Sequence, residues 1–275
     1  MTQYRFLQLD VFTDHAFSGN PLAVFPEAEG LSDEVMMKIA REMNLSETAF
    51  VERCDNEWSL RWFTPTIEVA LCGHATLATA HVMLEEGILG AGSTARFHTK
   101  SGVLSATQSG DLIELDFPAT LPEPSALPDG LIEALGVHPL HVARSAFDYL
   151  VELPTEDEVR ALTPDFAMLR RIPVRGVIAT SRGTKREFDF VSRFFAPASG
   201  VDEDPVTGSA HCALAPYWAP RLGKQQFRAY QASPRGGVLR VTLAGDRVLL
   251  AGRAVTVFRG DLLSHPHARA LRIAP

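Results

Sequence analysis

The segment Arg61-Trp62-Phe63-Thr64-Pro65 recurs 132 residues later as Arg193-Phe194-Phe195-Ala196-Pro197, and a helical segment rich in small residues follows each copy. A second pair of segments supports the repeat, because Gly102-Val103-Leu104 matches Gly237-Val238-Leu239 at an offset of 135. Two matches in the same order at nearly equal offsets indicate an internal duplication. Since the offset is close to half of the 275 residues, we predict two copies of one mixed α and β unit rather than a solenoid of short repeats.

A proline-rich stretch separates the two copies. It contains Pro118, Pro122, Pro124 and Pro128 and closes with Asp129-Gly130. Proline lacks an amide donor and restricts φ, so the stretch interrupts sheets and helices. We therefore predict an N-terminal domain over residues 1–118 and a C-terminal domain over residues 130–275, with the extreme C-terminus packing back on the first domain.

Hydrophobic periodicity predicts a similar order of elements in both halves, with more strands than helices. The first half is predicted to contain strands over 4–12, 22–25, 48–51 and 58–63, a helix capped by Ser32, a helix over 73–86 and a hairpin around Gly110-Asp111. The second is predicted to contain a short helix after Thr155, strands over 177–180 and 188–195, a helix over 208–218 that Pro216 disturbs, and a hairpin around Gly245-Asp246. Each half thus has one helix that is apolar on all sides and must be buried by the surrounding sheet.

Composition argues against several classes of partner. The chain has 33 acidic and 26 basic residues, and its formal charge of −7 repels a phosphate backbone, so no nucleic-acid partner is expected. No segment approaches the length of an apolar membrane span, so no membrane partner is expected. The three cysteines, Cys54, Cys72 and Cys212, are odd in number and scattered, which favours reduced thiols and predicts a cytoplasmic protein.

Titratable residues lie at the entrances of the two apolar helices. The first helix starts at Cys72-Gly73-His74, and the second follows Asp204-Pro205-Val206-Thr207-Gly208-Ser209. The ungapped offset of 132 places Cys72 opposite Asp204. If the halves pack about a pseudo-twofold axis, both helix N-termini face one cleft, where their free N–H groups bind a substrate carboxylate. This arrangement predicts a small acid as the ligand.

Glu47 lies between the first helix and the strand that follows it. The corresponding passage of the second half, residues 174–177, carries no carboxylate. An unpaired acid in a duplicated scaffold predicts one active site with one dominant base. Apolar neighbours are expected to raise the pKa of Glu47 toward neutrality, the range in which a carboxyl group both takes and returns a proton. From the residues alone, a surface role for Glu47, a packing role for Cys72 and a helix-stabilising role for Asp204 stay open.

Two pairs of histidines have a loose metal-like spacing, His138 with His141 and His265 with His267. No acidic or cysteine partners gather near either pair in the sequence. A metal site is therefore not expected at these positions.

Five motifs together resemble the phenazine biosynthesis PhzF family. They are Asp10-Val11-Phe12-Thr13, Phe17-Ser18-Gly19-Asn20-Pro21-Leu22-Ala23-Val24, Asn44-Leu45-Ser46-Glu47-Thr48, Cys72-Gly73-His74-Ala75-Thr76 and Glu203-Asp204-Pro205-Val206-Thr207-Gly208-Ser209-Ala210. The resemblance implies an α+β fold like that of diaminopimelate epimerase. In that fold two similar domains, each a curved mixed or antiparallel sheet around a central helix, enclose the active site between them.

The resemblance also implies an activity. The best-known family reaction is the isomerisation of trans-2,3-dihydro-3-hydroxyanthranilate by a proton shift, without a metal or organic cofactor. The family's acid/base glutamate corresponds to Glu47, and His74 and Asp204 are the other expected catalytic residues. The expected substrate-binding residues are Asn20, Ser46, Cys72, Gly73, Thr207, Gly208 and Ser209.

Two alternatives to this isomerase follow from the same residues. Related epimerases use two cysteines, and only Cys72 stands in such a position here, so two-cysteine epimerisation is not expected. An amino-acid epimerase or racemase that uses Cys72 remains one alternative, and a protein that binds a small acid without turning it over is the other. In each case the partner is a small carboxylated metabolite, and the resemblance implies a homodimer.

Overall fold

The structure is a computed structural model that describes residues 4–184 and 187–263. The elements of the first half are β1 (Tyr4–Val11), β2 (Asn20–Phe25), α1 (Asp33–Met43), β3 (Glu47–Cys54), β4 (Glu57–Phe63), β5 (Glu68–Val69), α2 (Gly73–Glu85), β6 (Thr94–Thr99), β7 (Gly102–Ser109) and β8 (Leu112–Pro118). The short strand β9 (Glu123–Pro124) follows. The elements of the second half are α3 (Leu131–Leu135), β10 (His141–Arg144), β11 (Asp148–Glu152), α4 (Glu156–Ala161), α5 (Phe166–Leu169), β12 (Gly176–Arg182), β13 (Phe190–Ala196), a 3₁₀ turn (Pro197–Ser199), β14 (Val201–Asp204), α6 (Gly208–Leu222), β15 (Gln226–Gln231), β16 (Gly237–Ala244), β17 (Arg247–Gly252) and β18 (Ala254–Leu262).

The two halves share one pattern of strand pairing. In the first half β1 pairs antiparallel with β2, β2 parallel with β3, β3 antiparallel with β4 and β4 parallel with β6, and the antiparallel β6, β7 and β8 complete the unit. In the second half β10 to β13 and β15 to β17 repeat the same directions in the same order. The duplication is therefore visible in the topology as well as in the sequence, and the predicted α+β class is confirmed.

Strands from opposite halves join at two places. β8 pairs antiparallel with β17, and the C-terminal strand β18 returns to pair with β1. Residues 264–275, which carry the predicted extreme C-terminus, lie outside the described residues. The proline-rich stretch is not wholly irregular, because β9 pairs with β10. The domain limits at 118 and 130 stay a prediction, as does the homodimer.

The predicted effect of Pro216 on the second apolar helix is wrong. α6 continues through Pro216 and Pro220 to Leu222. Pro216 has no backbone N–H and therefore cannot donate the helical hydrogen bond to the carbonyl of Cys212, one turn earlier. The backbone N–H of Thr120 bonds that carbonyl instead at 3.0 Å. The neighbouring chain thus satisfies the oxygen that the proline leaves free, and burial of Trp218 holds the helix in the core.

Both apolar helices are buried as predicted. α2 and α6 contact each other, and each packs on strands of its own half. Within the described ranges, none of the helices has the length and apolar character needed to cross a membrane.

Candidate active site

The starts of α2 and α6 lie on the strand pair that joins the halves. A Cβ atom added to Gly73 would meet the ring of Phe117 at 3.2 Å, and one added to Gly208 would meet Leu250 at 3.4 Å. Phe117 and Leu250 belong to the paired strands β8 and β17. Glycine therefore allows each helix to begin close to this ribbon, and the two N-termini share one region between the halves.

The helix starts correct the predicted register between the halves. α2 begins at Gly73 and α6 at Gly208, an offset of 135 that makes Cys72 the counterpart of Thr207 and not of Asp204. Asp204 instead ends β14, ahead of the N-cap. Neither Cys72 nor Thr207 accepts a helix-capping hydrogen bond on its side chain within the described structure. The first backbone N–H groups of each helix therefore have no side-chain cap, and such groups favour an anion.

Glu47, His74 and Cys72 converge in front of α2. Glu47 begins β3, and its Oε2 lies 2.8 Å from Nε2 of His74. The Sγ atom of Cys72 lies 3.6 Å from Nδ1 of the same imidazole. The side chains of His74 and Glu47 are 9% and 18% exposed. The carboxylate is thus largely shielded from solvent.

The predicted direction of the Glu47 pKa shift is wrong. Burial alone would raise the pKa of Glu47, but the positive charge of His74 and the polar contacts with His74, Ser46 and Cys72 outweigh it, so the pKa is lowered. Burial likewise disfavours a charged His74, but its interactions with Cys72 and Glu47 raise its pKa well above the usual value. Glu47 is therefore an ionised base at neutral pH, and His74 is an imidazolium.

Asp204 enters the same region from the second half and has the opposite character. Burial raises the pKa of Asp204 to about 6, against the opposing effects of His74 and of hydrogen bonds from Thr207 and Asn20. Nδ2 of Asn20 donates to Oδ1 of Asp204 at 2.8 Å, and the Thr207 hydroxyl donates to Oδ2. The site therefore holds two carboxyl groups whose environments move their pKa values apart, a pattern typical of acid and base pairs.

Asn20 connects the two halves of the site. It is fully buried, and its Nδ2 also donates to the carbonyl of Val206 at 2.9 Å. Its Oδ1 accepts a hydrogen bond from the Ser46 hydroxyl, beside Glu47, at 3.1 Å. Asn20 thus links Ser46 of the first half to Asp204 of the second, and the expected substrate contacts of Asn20 and Ser46 stay a prediction.

Thr207 is also hydrogen-bonded within the protein, and its expected role in substrate binding stays a prediction. Its backbone N–H donates to Oε1 of Gln231 at 2.8 Å, and its hydroxyl bonds Asp204. Gln231 is fully buried, and its Nε2 donates to the backbone oxygen of Asp204 at 2.7 Å. The role of Gln231 could not be predicted from the sequence, because nothing in its local pattern distinguishes it from any other strand residue.

Arg175 is a second residue that the sequence analysis missed. It donates two hydrogen bonds to the buried Asp148, and its Nη2 lies 3.2 Å from Oγ of Ser209 at the start of α6. The register of the parallel strands places Gly176 opposite Asp148, as Glu47 stands opposite Leu22. The second half thus carries a guanidinium close to the position of Glu47. Residues 174–177 did contain a sequence signal for this cation, since they include Arg175 and no carboxylate.

The comparisons with known proteins agree with this architecture. The family model described as phenazine biosynthesis-like protein matches residues 9–260. A protein named as an uncharacterized isomerase from Halalkalibacterium halodurans is 52% identical over 93% of this chain and 97% of its own length. The crystal structure of a PhzF family protein from Enterococcus faecalis has a TM-score of 0.91 at 40% identity and covers 95% of this chain and 99% of that one. A predicted epimerase from Pseudomonas aeruginosa shares the fold, with a TM-score of 0.74 at 24% identity over 95% of this chain and 100% of that one.

The family model and the relatives named as isomerases, which match nearly the whole chain, define the class of this protein as an isomerase. The class is broader than any one reaction, since one fold supports several proton transfers. The match along nearly the whole chain then narrows the class: the chain belongs to the phenazine biosynthesis-like PhzF family.

Proposed function

We propose that this protein is a cofactor-independent isomerase that moves a proton within a small, carboxylated and cyclic amino-acid-like substrate, similar to trans-2,3-dihydro-3-hydroxyanthranilate. The observation that carries the proposal is the contact of 2.8 Å between Oε2 of Glu47 and Nε2 of His74, next to Asp204. An ionised carboxylate held by an imidazolium is ready to take a proton from carbon at neutral pH.

Glu47 removes a proton from an activated carbon of the substrate and returns it to another carbon on the same face. His74 stabilises the negative charge that develops on the substrate, because the imidazolium already lies beside the base in a shielded site. Asp204 has a pKa of about 6, so a fraction of this carboxyl group is protonated near neutral pH and can donate a proton.

The starts of the two helices bind the substrate carboxylate. The backbone N–H groups of Gly73 and His74 on one side, and of Gly208 and Ser209 on the other, lie at helix N-termini that favour an anion. Holding the acid group fixes the substrate so that its reacting carbon faces Glu47.

Incubation with trans-2,3-dihydro-3-hydroxyanthranilate in heavy water tests the proposal. We expect an isomerised product that carries solvent deuterium, detected by mass spectrometry and NMR. A panel of other carboxylated amino-acid-like metabolites in the same assay defines the substrate class. Saturable binding of panel members with no deuterium in any of them would contradict the isomerase and favour the protein that only binds small acids.

Arg175 is proposed to position Ser209 for substrate binding. Removing Arg175 alone leaves Asp148 buried without a partner, which destabilises the fold, so the test uses the double variant Arg175→Gln/Asp148→Asn. We expect KM to rise about 10-fold with kcat nearly unchanged, since one hydrogen bond near a charged group contributes about 1.5 kcal/mol. The control is Asp148→Asn, which keeps Arg175. An equal KM in the double variant and the control would contradict this role.

A further inference from the structure

The residues in front of α2 combine three types of side chain that bind Zn²⁺. A carboxylate oxygen of Glu47, Sγ of Cys72 and a ring nitrogen of His74 all lie within 4.8 Å of one another. We propose that these three side chains form a zinc-binding site, and that the bound ion inhibits the enzyme by occupying its proton-transfer residues. The binding stands on this geometry alone, whereas the inhibition rests on the proposed function.

The distances fit a tetrahedral ion once the side chain of Cys72 turns toward Nε2 of His74. Zinc binds thiolate sulfur at about 2.3 Å and imidazole nitrogen or carboxylate oxygen at about 2.0–2.2 Å, so two ligands of one tetrahedral ion lie about 3.3–3.8 Å apart. Sγ of Cys72 lies 3.6 Å from Nδ1 and 3.8 Å from Nε2 of His74, so the sulfur is beside the ring and must move by about 2 Å to share an ion with Nε2. Nε2 lies 2.8 Å from Oε2 of Glu47, so that contact needs to open by about 0.5 Å to admit the ion.

One oxygen of the Glu47 carboxylate is available to bind a cation. Oε2 of Glu47 is buried and has no well-aligned hydrogen-bond partner in the part of the chain that the structure describes, although it contacts His74. A buried oxygen in this situation gains a partner when a cation binds. The two oxygens of Asp204 already accept hydrogen bonds from Asn20 and Thr207, so a fourth position is left to water or to a substrate group.

Binding of zinc changes the protonation states of the side chains in the site. Zinc takes the thiolate form of Cys72 and the neutral imidazole of His74, so the thiol proton and the imidazolium proton pass to the solvent. Glu47 then donates an electron pair to the metal and cannot accept a proton from carbon. The ion is therefore an inhibitor of the proposed proton shift.

The cluster differs from the histidines with metal-like spacing in the sequence. His138 and His141 do not belong to it, and His265 and His267 lie outside the described residues. Its members come from β3 and from the start of α2, and only the packing of α2 against β3 brings them together.

Cobalt and zinc titrations of the full chain test the site without any substrate. Co²⁺ bound by a thiolate gives a ligand-to-metal charge-transfer band in the near ultraviolet, and we expect one equivalent to produce it. Zn²⁺ should displace Co²⁺ and remove the band. Cys72→Ala should abolish the band, and His74→Asn should weaken Zn²⁺ binding more than about 100-fold, since even outer partners of a metal site contribute 10–100-fold.

Cys54→Ala is the matched control, because Cys54 is exposed whereas Cys72 is buried. This variant should keep the band, and circular dichroism should show that all variants are folded. A wild-type protein without the band, a band that survives Cys72→Ala, or a band lost in Cys54→Ala would overturn the metal site. Zinc binding without loss of deuterium exchange in an active protein would instead overturn the inhibition alone.

Discussion

Replacement of Glu47 by Gln is expected to lower the rate of solvent-deuterium incorporation by about 10³-fold, because general acid–base catalysis contributes about 10²–10⁴. Gln has nearly the same size as Glu but cannot accept a proton from carbon at neutral pH. The substrate carboxylate is bound at the helix N-termini, so the affinity for substrate should change little. The measurement is deuterium incorporation by NMR, together with binding of the same substrate.

Glu52→Gln provides the control for this variant. Glu52 lies on the same strand β3, but it is not among the residues that converge on His74. We expect Glu52→Gln to retain wild-type exchange. Equal exchange by wild type and Glu47→Gln would exclude Glu47 as the base. If Cys72→Ala then abolished the exchange, the epimerase alternative that uses Cys72 would replace the proposed reaction.

Replacement of Asp204 by Asn is expected to stabilise the fold at pH 8 while lowering activity about 10²-fold. The pKa of Asp204 is raised from 3.8 to about 6 by burial, so the folded state binds the proton more tightly than the unfolded state. Stability therefore falls as pH rises from about 4 to about 6, and the loss is complete above pH 6. A shift of this size corresponds to at most about 3 kcal/mol, which Asn removes because it carries no charge.

Thermal melts of both proteins from pH 4 to pH 8 test this expectation. The difference in stability between Asp204→Asn and wild type should grow across pH 4–6 and stay constant above it. In the activity assay, kcat/KM of the wild type should decline above about pH 6 as Asp204 loses its proton, and the variant should lack this decline. A stability difference that does not change with pH would show that the carboxyl group is not destabilised by burial.

The duplicated fold carries different chemistry in its two halves. At the start of α2 the first half presents a carboxylate and an imidazole, Glu47 and His74. At the start of α6 the second half presents a guanidinium and a hydroxyl, Arg175 and Ser209. The first half thus supplies the proposed base, Glu47, and the second half supplies a cationic side chain close to the equivalent position. Sequence divergence at a few equivalent positions is enough for this division, because the strand pairing is the same in both halves.

Much of the fold was predictable because its determinants are local or repeated. The repeated Arg61–Pro65 segment indicates the duplication, and the apolar character of residues 73–86 and 208–218 identifies the two buried helices. The start of α1 also follows from sequence, since the Ser32 hydroxyl accepts the N–H of Val35. The continuation of α6 past Pro216 was not predictable, because the bond that offsets the proline comes from Thr120, far away in the chain.

The sequence by itself determined the duplicated α+β plan, the family and the residue types gathered at the helix entrances. Only the tertiary structure decided the charge state of Glu47 and which residues face it. A local pattern can show that a carboxyl group lies among apolar neighbours, but the pKa depends on the charges within a few ångströms in space. The pKa of Glu47 is lowered by the charge of His74, which lies on a different element. The pKa of Asp204 is raised by burial between two halves that are distant in the chain.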